Sequence, residues 1–130
     1  MNIRLLVICF LLCCGSPLYA QSLRAYERAG DQAFSVKDYG TAFQHYHSVL
    51  SRDADNDNVL WKYAEAARYY FACQEADRAY RKLAASKKAS RRFPLLYYHV
   101  GKLKQMQGEY DAAIVAFEKF LSDAPKVEKN

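Results

Sequence analysis

The chain has 130 residues and a formal net charge of +5, which leaves room for one small domain. Its 52% hydrophobic and 25% charged residues exclude a disordered chain. Eleven tyrosines against 5 glycines and 3 prolines favour packed helices over a turn-rich β sandwich.

The first twenty residues, "MNIRLLVICFLLCCGSPLYA", differ from the rest. One positive residue, Arg4, precedes an uncharged apolar run from Leu5 to Cys14, then Gly-Ser-Pro and Ala20. This order predicts a secretory signal peptide over residues 1–20, cleaved after Ala20. The apolar run is about half the roughly 20 residues that span a bilayer. Leu18, at the third position before the cut, is larger than the usual small residue. The alternative is a lipid anchor: "LLCC" loosely resembles a bacterial lipoprotein signal, with Cys13 or Cys14 as the modified residue. Cleavage after Ala20 would leave Cys73 as the single mature cysteine, with no internal disulfide. Cys73 then reads as a small buried apolar residue, with intermolecular pairing as the other option.

Helical patterns follow in alternation. "SLRAYERAGDQAFSVK" starts at Ser22 and "KDYGTAFQHYHSVLSRDA" at Lys37. "NVLWKYAEAARYYF" starts at Asn58 and "FACQEADRAYRKLAASKK" at Phe71. "PLLYYHVGKLKQMQG" starts at Pro94 and "GEYDAAIVAFEKFLSDAP" at Gly108. In the last, Tyr110, Ala113, Ile114, Phe117, Phe120 and Leu121 make one apolar stripe at helical spacing. The second, fourth and sixth patterns superpose with periods of 34 and 37. Ala42, Ala76 and Ala113 coincide, as do Tyr46, Tyr80 and Phe117. In the odd-numbered patterns a small residue recurs at Gly30, Ala64 and Gly101, letting paired helices approach closely. A helix-turn-helix unit with a period near 34 is a repeat signature.

On these residues the chain resembles the tetratricopeptide repeat (TPR) family. Gly30, Ala42, Tyr46, Gly101, Tyr110, Ala113, Phe117 and Pro125 stand where the family pattern expects them. The repeats are residues 23–56, 57–90 and 94–127, within a TPR domain over 21–127 followed by a tail over 128–130. Ala64 and Cys73 depart from the pattern in the middle copy, and Lys104 in the third. The resemblance implies an all-α, right-handed superhelical solenoid of six helices. It also implies a concave groove lined by the first helix of each pair. Carried over position by position, the partner-binding residues are Arg24, Glu27, Asp31 and Phe34; Asn58, Trp61, Glu65, Arg68 and Tyr69; and Leu95, Tyr98, Lys102 and Gln105. One TPR subtype clamps a C-terminal carboxylate with Lys and Asn in its first repeat; Glu27 and Asp31 in that repeat argue against such a clamp here.

Little in the sequence points to catalysis, metal or cofactor chemistry. His45 and His47 lie on different sides of a helix, and His99 is isolated. "DADNDN", from Asp53, begins like a calcium loop but has Asn58 for the required Gly and Ala64 for the closing Glu. It reads instead as the turn between repeats. No phosphate-cradling glycine loop, nucleophile elbow or framed carboxylate pair occurs, so the chain is expected not to be an enzyme.

Charge says more. Nine Lys and Arg residues and no acid lie between Arg78 and Gly108, centred on "SKKASRRF". Arg81, Lys82, Lys87, Lys88, Arg91 and Arg92 form the expected basic patch. It reads as a solvated face, or as a surface attracting an acidic partner or anionic lipid. Nucleic acid is not expected for an exported chain. The expected function is an exported adaptor for protein–protein interactions in the bacterial cell envelope or periplasm, in secretion or envelope assembly. The alternatives are an assembly subunit that self-associates through its C-terminal repeat, or an accessory domain of a larger envelope protein, with or without a lipid anchor.

Overall fold

The structure, a computed structural model, describes residues 15–124, with side chains from Ser22 onward. The part of the expected signal peptide over residues 1–14, with Cys9, Cys13 and Cys14, lies outside the described residues, as do Pro125 and the tail. The fold is all-α, with seven helices and no strand among the described residues. They are α1 (Gly15–Ser35), α2 (Tyr39–Leu50), α3 (Asp57–Tyr69), α4 (Cys73–Ala85), α5 (Lys87–Arg92), α6 (Leu96–Met106) and α7 (Tyr110–Asp123). Residues 15–20, expected to precede the cut, form the first turns of α1. Proline is compatible with such a first turn, where no intrahelical bond is lost.

Helices pack in sequence: α1 on α2, α3 on α4 and α6 on α7, with α2 also on α3 and α4 on α6. Each pair turns back through the same motif. Lys37, Phe71 and Gly108 adopt left-handed backbone at φ 63, 63 and 76°. The next amide donates back five residues: Asp38 to Ala33 at 2.9 Å, Ala72 to Ala67 at 2.8 Å, Glu109 to Lys104 at 2.9 Å. This is a Schellman closure, which satisfies carbonyls orphaned at the helix end. Only the third copy uses glycine, the residue that adopts this backbone without steric cost.

Within each pair a small residue faces a ring 16 positions later. A Cβ on Gly30 would lie 2.6 Å from the Tyr46 ring, and one on Gly101 would lie 2.5 Å from the Phe117 ring. Ala64 and Tyr80 hold the same spacing in the middle pair, both buried. The core is continuous through Tyr46, Val49, Val59, Tyr63, Ala64, Tyr80, Leu83, Leu96 and Leu103. α3 is buried nearly all round, from Val59 to Arg68 apart from Trp61 and Lys62, because α2 and α4 both cover it. Its alanines at 64, 66 and 67 leave the space those neighbours need.

Two expectations change. Six helices become seven, because the extra residues before Pro94 fold as α5 instead of remaining a loop. Ser86 caps it, its hydroxyl accepting from the Ala89 amide at 3.2 Å, and Ala89 is fully buried. Cys73 is a free thiol only partly buried against the core. The "DADNDN" stretch is a turn: Asn56 accepts from the Val59 amide at 3.2 Å and donates to Asp53 at 2.9 Å, capping α3.

Candidate functional site

A groove of about 500 Å³ crosses α1, α3 and the start of α6. Phe34 and Ser35 come from α1, Trp61 and Tyr69 from α3, and Leu95 and His99 from the α6 end. Its floor is aromatic. Phe34 meets Tyr39 and Tyr69 edge-on, with centroids 5.1 and 5.9 Å away, and Tyr39 stacks on Tyr69 at 4.7 Å. Trp61 stacks flat on Phe93 at 4.9 Å and meets His99 edge-on at 5.2 Å. Offset and edge-on contacts of this kind hold rings in fixed orientations. Tyr69 and Leu95 remain 43% and 48% exposed, so the groove presents apolar surface to solvent.

Two polar clusters also line and brace the groove, and they share a plan. In the first, the Tyr46 hydroxyl donates to Asp31 at 2.8 Å. Lys62, on the next pair, reaches Asp31 at 2.8 Å and Glu27 at 2.7 Å. In the second, the Tyr80 hydroxyl donates to Glu65, and His99, again on the next pair, sits 2.9 Å from the same carboxylate. Arg68 adds a 2.7 Å pair to Glu65 and a 3.3 Å bond to the Tyr80 oxygen. Lys62 precedes His99 by 37 positions, and Asp31 precedes Glu65 by 34, so the clusters obey the repeat periods. The third copy breaks the plan, with Lys102 for the acid and Phe117 for the tyrosine.

These contacts set the charges. Burial disfavours an ionised Glu65, but hydrogen bonds from His99, Arg68 and Tyr80 outweigh it and hold the carboxyl below its usual range. Burial also works against the Arg68 cation; the Glu65 carboxylate prevails and pushes it upward. Burial and the charge of Glu65 push the Tyr80 hydroxyl well up. For Tyr46, burial again leads, followed by its bond to Asp31. For Lys62, burial is overcome by bonds to Asp31 and Glu27, and the ammonium is stabilised.

The expected binding residues therefore divide. Asp31, Phe34, Trp61, Glu65, Tyr69 and Leu95 meet in the groove. Glu27 and Asp31 are already engaged by Lys62, while Glu65 and Arg68 are buried and paired. Arg68 also places its guanidinium 4.3 Å over the Tyr69 ring, fixing that ring from behind. Tyr98 lies apart from the groove, packed on Phe117 and Phe120 at 6.0 and 5.7 Å. Lys102 and Gln105 bond to each other at 3.3 Å and do not line it. Arg24 and Asn58 are exposed and also outside its lining. Sequence reasoning missed Ser35, Tyr46, Lys62 and His99 as groove residues. Neither a protein-family model nor a curated protein matches the chain.

The basic patch divides as well. Arg81 pairs with Asp77 at 2.5 Å, and Lys82 with Asp55 at 3.2 Å. Arg78 pairs with Glu75, and Lys104 bridges Asp77 and Glu109, each at 3.0 Å. Lys87, Lys88, Arg91 and Arg92 have no carboxylate within ion-pair distance among the described residues. Among those residues no group of three or more His, Cys, Asp or Glu could hold a metal ion, and no helix is long and apolar enough to cross a membrane.

Proposed function

We propose that the chain is a TPR adaptor: a right-handed superhelical solenoid of three repeats, exported to the bacterial cell envelope, that holds a protein partner without catalysis. The observation that carries this reading is the groove across α1, α3 and α6, with half-exposed Tyr69 and Leu95 on a braced aromatic floor. Exposed aromatic surface held rigid from behind is what binding hot spots need, because little ordering remains to be done on association. The repeated turn, the repeated small-residue-to-ring contact and the repeated acid–tyrosine–cation cluster support the family reading.

The test compares wild type with Tyr69→Ser/Leu95→Ser, both immobilised and exposed to envelope extracts. A protein retained by wild type and lost from the variant, with helicity and Tm unchanged, supports the groove. Equal retention sinks it. Export is tested separately: N-terminal sequencing should begin at Gln21, and a cytoplasmic product beginning at Met1 would remove the envelope from the reading.

A second reading, an assembly subunit, is favoured by α7. Tyr110, Ile114 and Leu121 form a stripe along it, at 65, 54 and 69% exposure. The occupant that fits this reading is a second copy of the chain.

A further inference from the structure

We infer that the segment held in the groove carries acidic residues at one end, and that these enter a basic cleft formed by α5; this rests on the groove reading above. The cleft measures about 790 Å³ and is lined by Lys87, Arg91, Phe93, Tyr97, Lys119 and Phe120, among others. It is joined to the groove. Leu95 lines both, and Phe93 on the cleft side stacks on Trp61 on the groove side.

The charge in this cleft is one-sided. Asp123 is the one carboxylate among the lining residues, and Lys119 holds it at 2.7 Å. Among the described residues, Lys87 and Arg91 therefore face the cleft without a counter-charge. They are four residues apart on one helix, a like-charge pairing that an isolated helix resists. Lys88 and Arg92, both exposed, add to the field at the rim. α5 is nonetheless fixed, by its Ser86 cap and by the buried Ala89. A helix held in a self-repelling arrangement at the mouth of an apolar groove is relieved by an incoming anion. Carboxylates on a peptide fit, because a chain can follow the apolar floor and then turn its acids onto Lys87 and Arg91. A lipid surface is disfavoured, because these two charges line a concavity instead of a flat or convex face.

The test uses the mature chain and its single tryptophan, Trp61, as a reporter in the groove. Two labelled synthetic peptides share an apolar aromatic half; one continues with glutamates, the other with glutamines. Peptide anisotropy and Trp61 fluorescence are followed at several salt concentrations, beside vesicles of phosphatidylglycerol. The glutamate peptide should bind about tenfold tighter at low salt, and the gap should close as salt screens it. Lys87→Glu/Arg91→Glu should erase the gap by weakening the glutamate peptide. Lys87→Gln/Arg91→Gln, a milder change on an exposed helix, should narrow it. Equal affinity for both peptides with a Trp61 response would overturn the acidic preference while the groove stands. Binding that depends on Lys87 and Arg91 without a Trp61 response would overturn the groove and the continuous segment together. Binding to neither peptide, or to vesicles alone, would overturn the inference as well.

Discussion

His99 of α6 sits 2.9 Å from the Glu65 carboxylate of α3, the place that Lys62 takes toward Asp31 one pair earlier. The two contacts differ in depth. Glu65 and Arg68 are buried, whereas Lys62 and Asp31 are about a third to a half exposed. The deeper cluster should therefore dominate stability. Glu65→Ala leaves Arg68 buried without its partner and should cost about 3 kcal/mol or more. Asp31→Ala removes a solvent-screened pair and the acceptor of the Tyr46 hydroxyl, and should cost less, about 1–2 kcal/mol. Urea unfolding of both variants checks the ranking; equal losses would show that the clusters are not distinguished by burial.

The same carboxyl sets an acid limit. Its folded pKa lies below the ordinary value, so its contribution is fully present above about pH 4.3. It is lost as pH falls from there through the lowered folded value. Glu65→Gln should be less stable than wild type at neutral pH and should lose less on acidification. A wild-type acid limb identical to that of Glu65→Gln would show that other carboxyls set it.

Phe71 occupies left-handed backbone and is 77% exposed, so it contributes strain and little packing. Phe71→Gly should stabilise by about 1 kcal/mol, since a Cβ in this region costs roughly 1–2 kcal/mol. The gain is reduced by the extra freedom of glycine in the unfolded chain. Gly108→Ala should lose about 1 kcal/mol by the reverse argument. Thermal unfolding of the pair reads both signs; loss of stability in Phe71→Gly would mean that its ring packs in solution.

Gly101 tests the close approach of α6 and α7. Alanine is the better helix former by about 1 kcal/mol, but its Cβ would stand 2.5 Å from the Phe117 ring. Overpacking of this kind costs roughly 1–3 kcal/mol, so Gly101→Ala should be destabilising on balance. Phe117→Leu in the same chain should restore part of the loss, because the ring is the obstacle. A more stable Gly101→Ala would show that the pair can separate freely.

The hairpin frame was legible because it repeats: small residues at 30, 64 and 101 and rings at 46, 80 and 117 each mark the same contact. The buried polar clusters were harder to see. Glu65 and Arg68 look like solvent-facing groove residues one letter at a time, and only packing from α4 and α6 encloses them. A signal existed, since Asp31 to Tyr46 and Glu65 to Tyr80 share a spacing of 15. α5 gave no periodic signal: six residues with one apolar anchor, Ala89, fall below what helical spacing can mark. The basic run was overcounted because partners such as Asp55 and Glu109 come from other parts of the chain.

The stripe on α7 supports the last prediction. Its Ile114 corresponds to Phe43 of α2, 71 positions earlier, which stacks on Tyr63 of α3 at 4.7 Å. On α7 no described helix takes the role of α3, and Ile114 and Leu121 stay exposed. Fully burying one such side chain is worth roughly 1.5–3 kcal/mol, so two copies gain by covering these faces. Sedimentation should show concentration-dependent association that Ile114→Glu/Leu121→Glu abolishes without loss of helicity. Phe120, expected from the sequence to belong to this surface, instead packs half-buried against Tyr98. Phe120→Glu should therefore lower Tm, which separates a folding residue from an association residue. A monomer at every concentration tested would remove the assembly reading and leave the groove as the partner site.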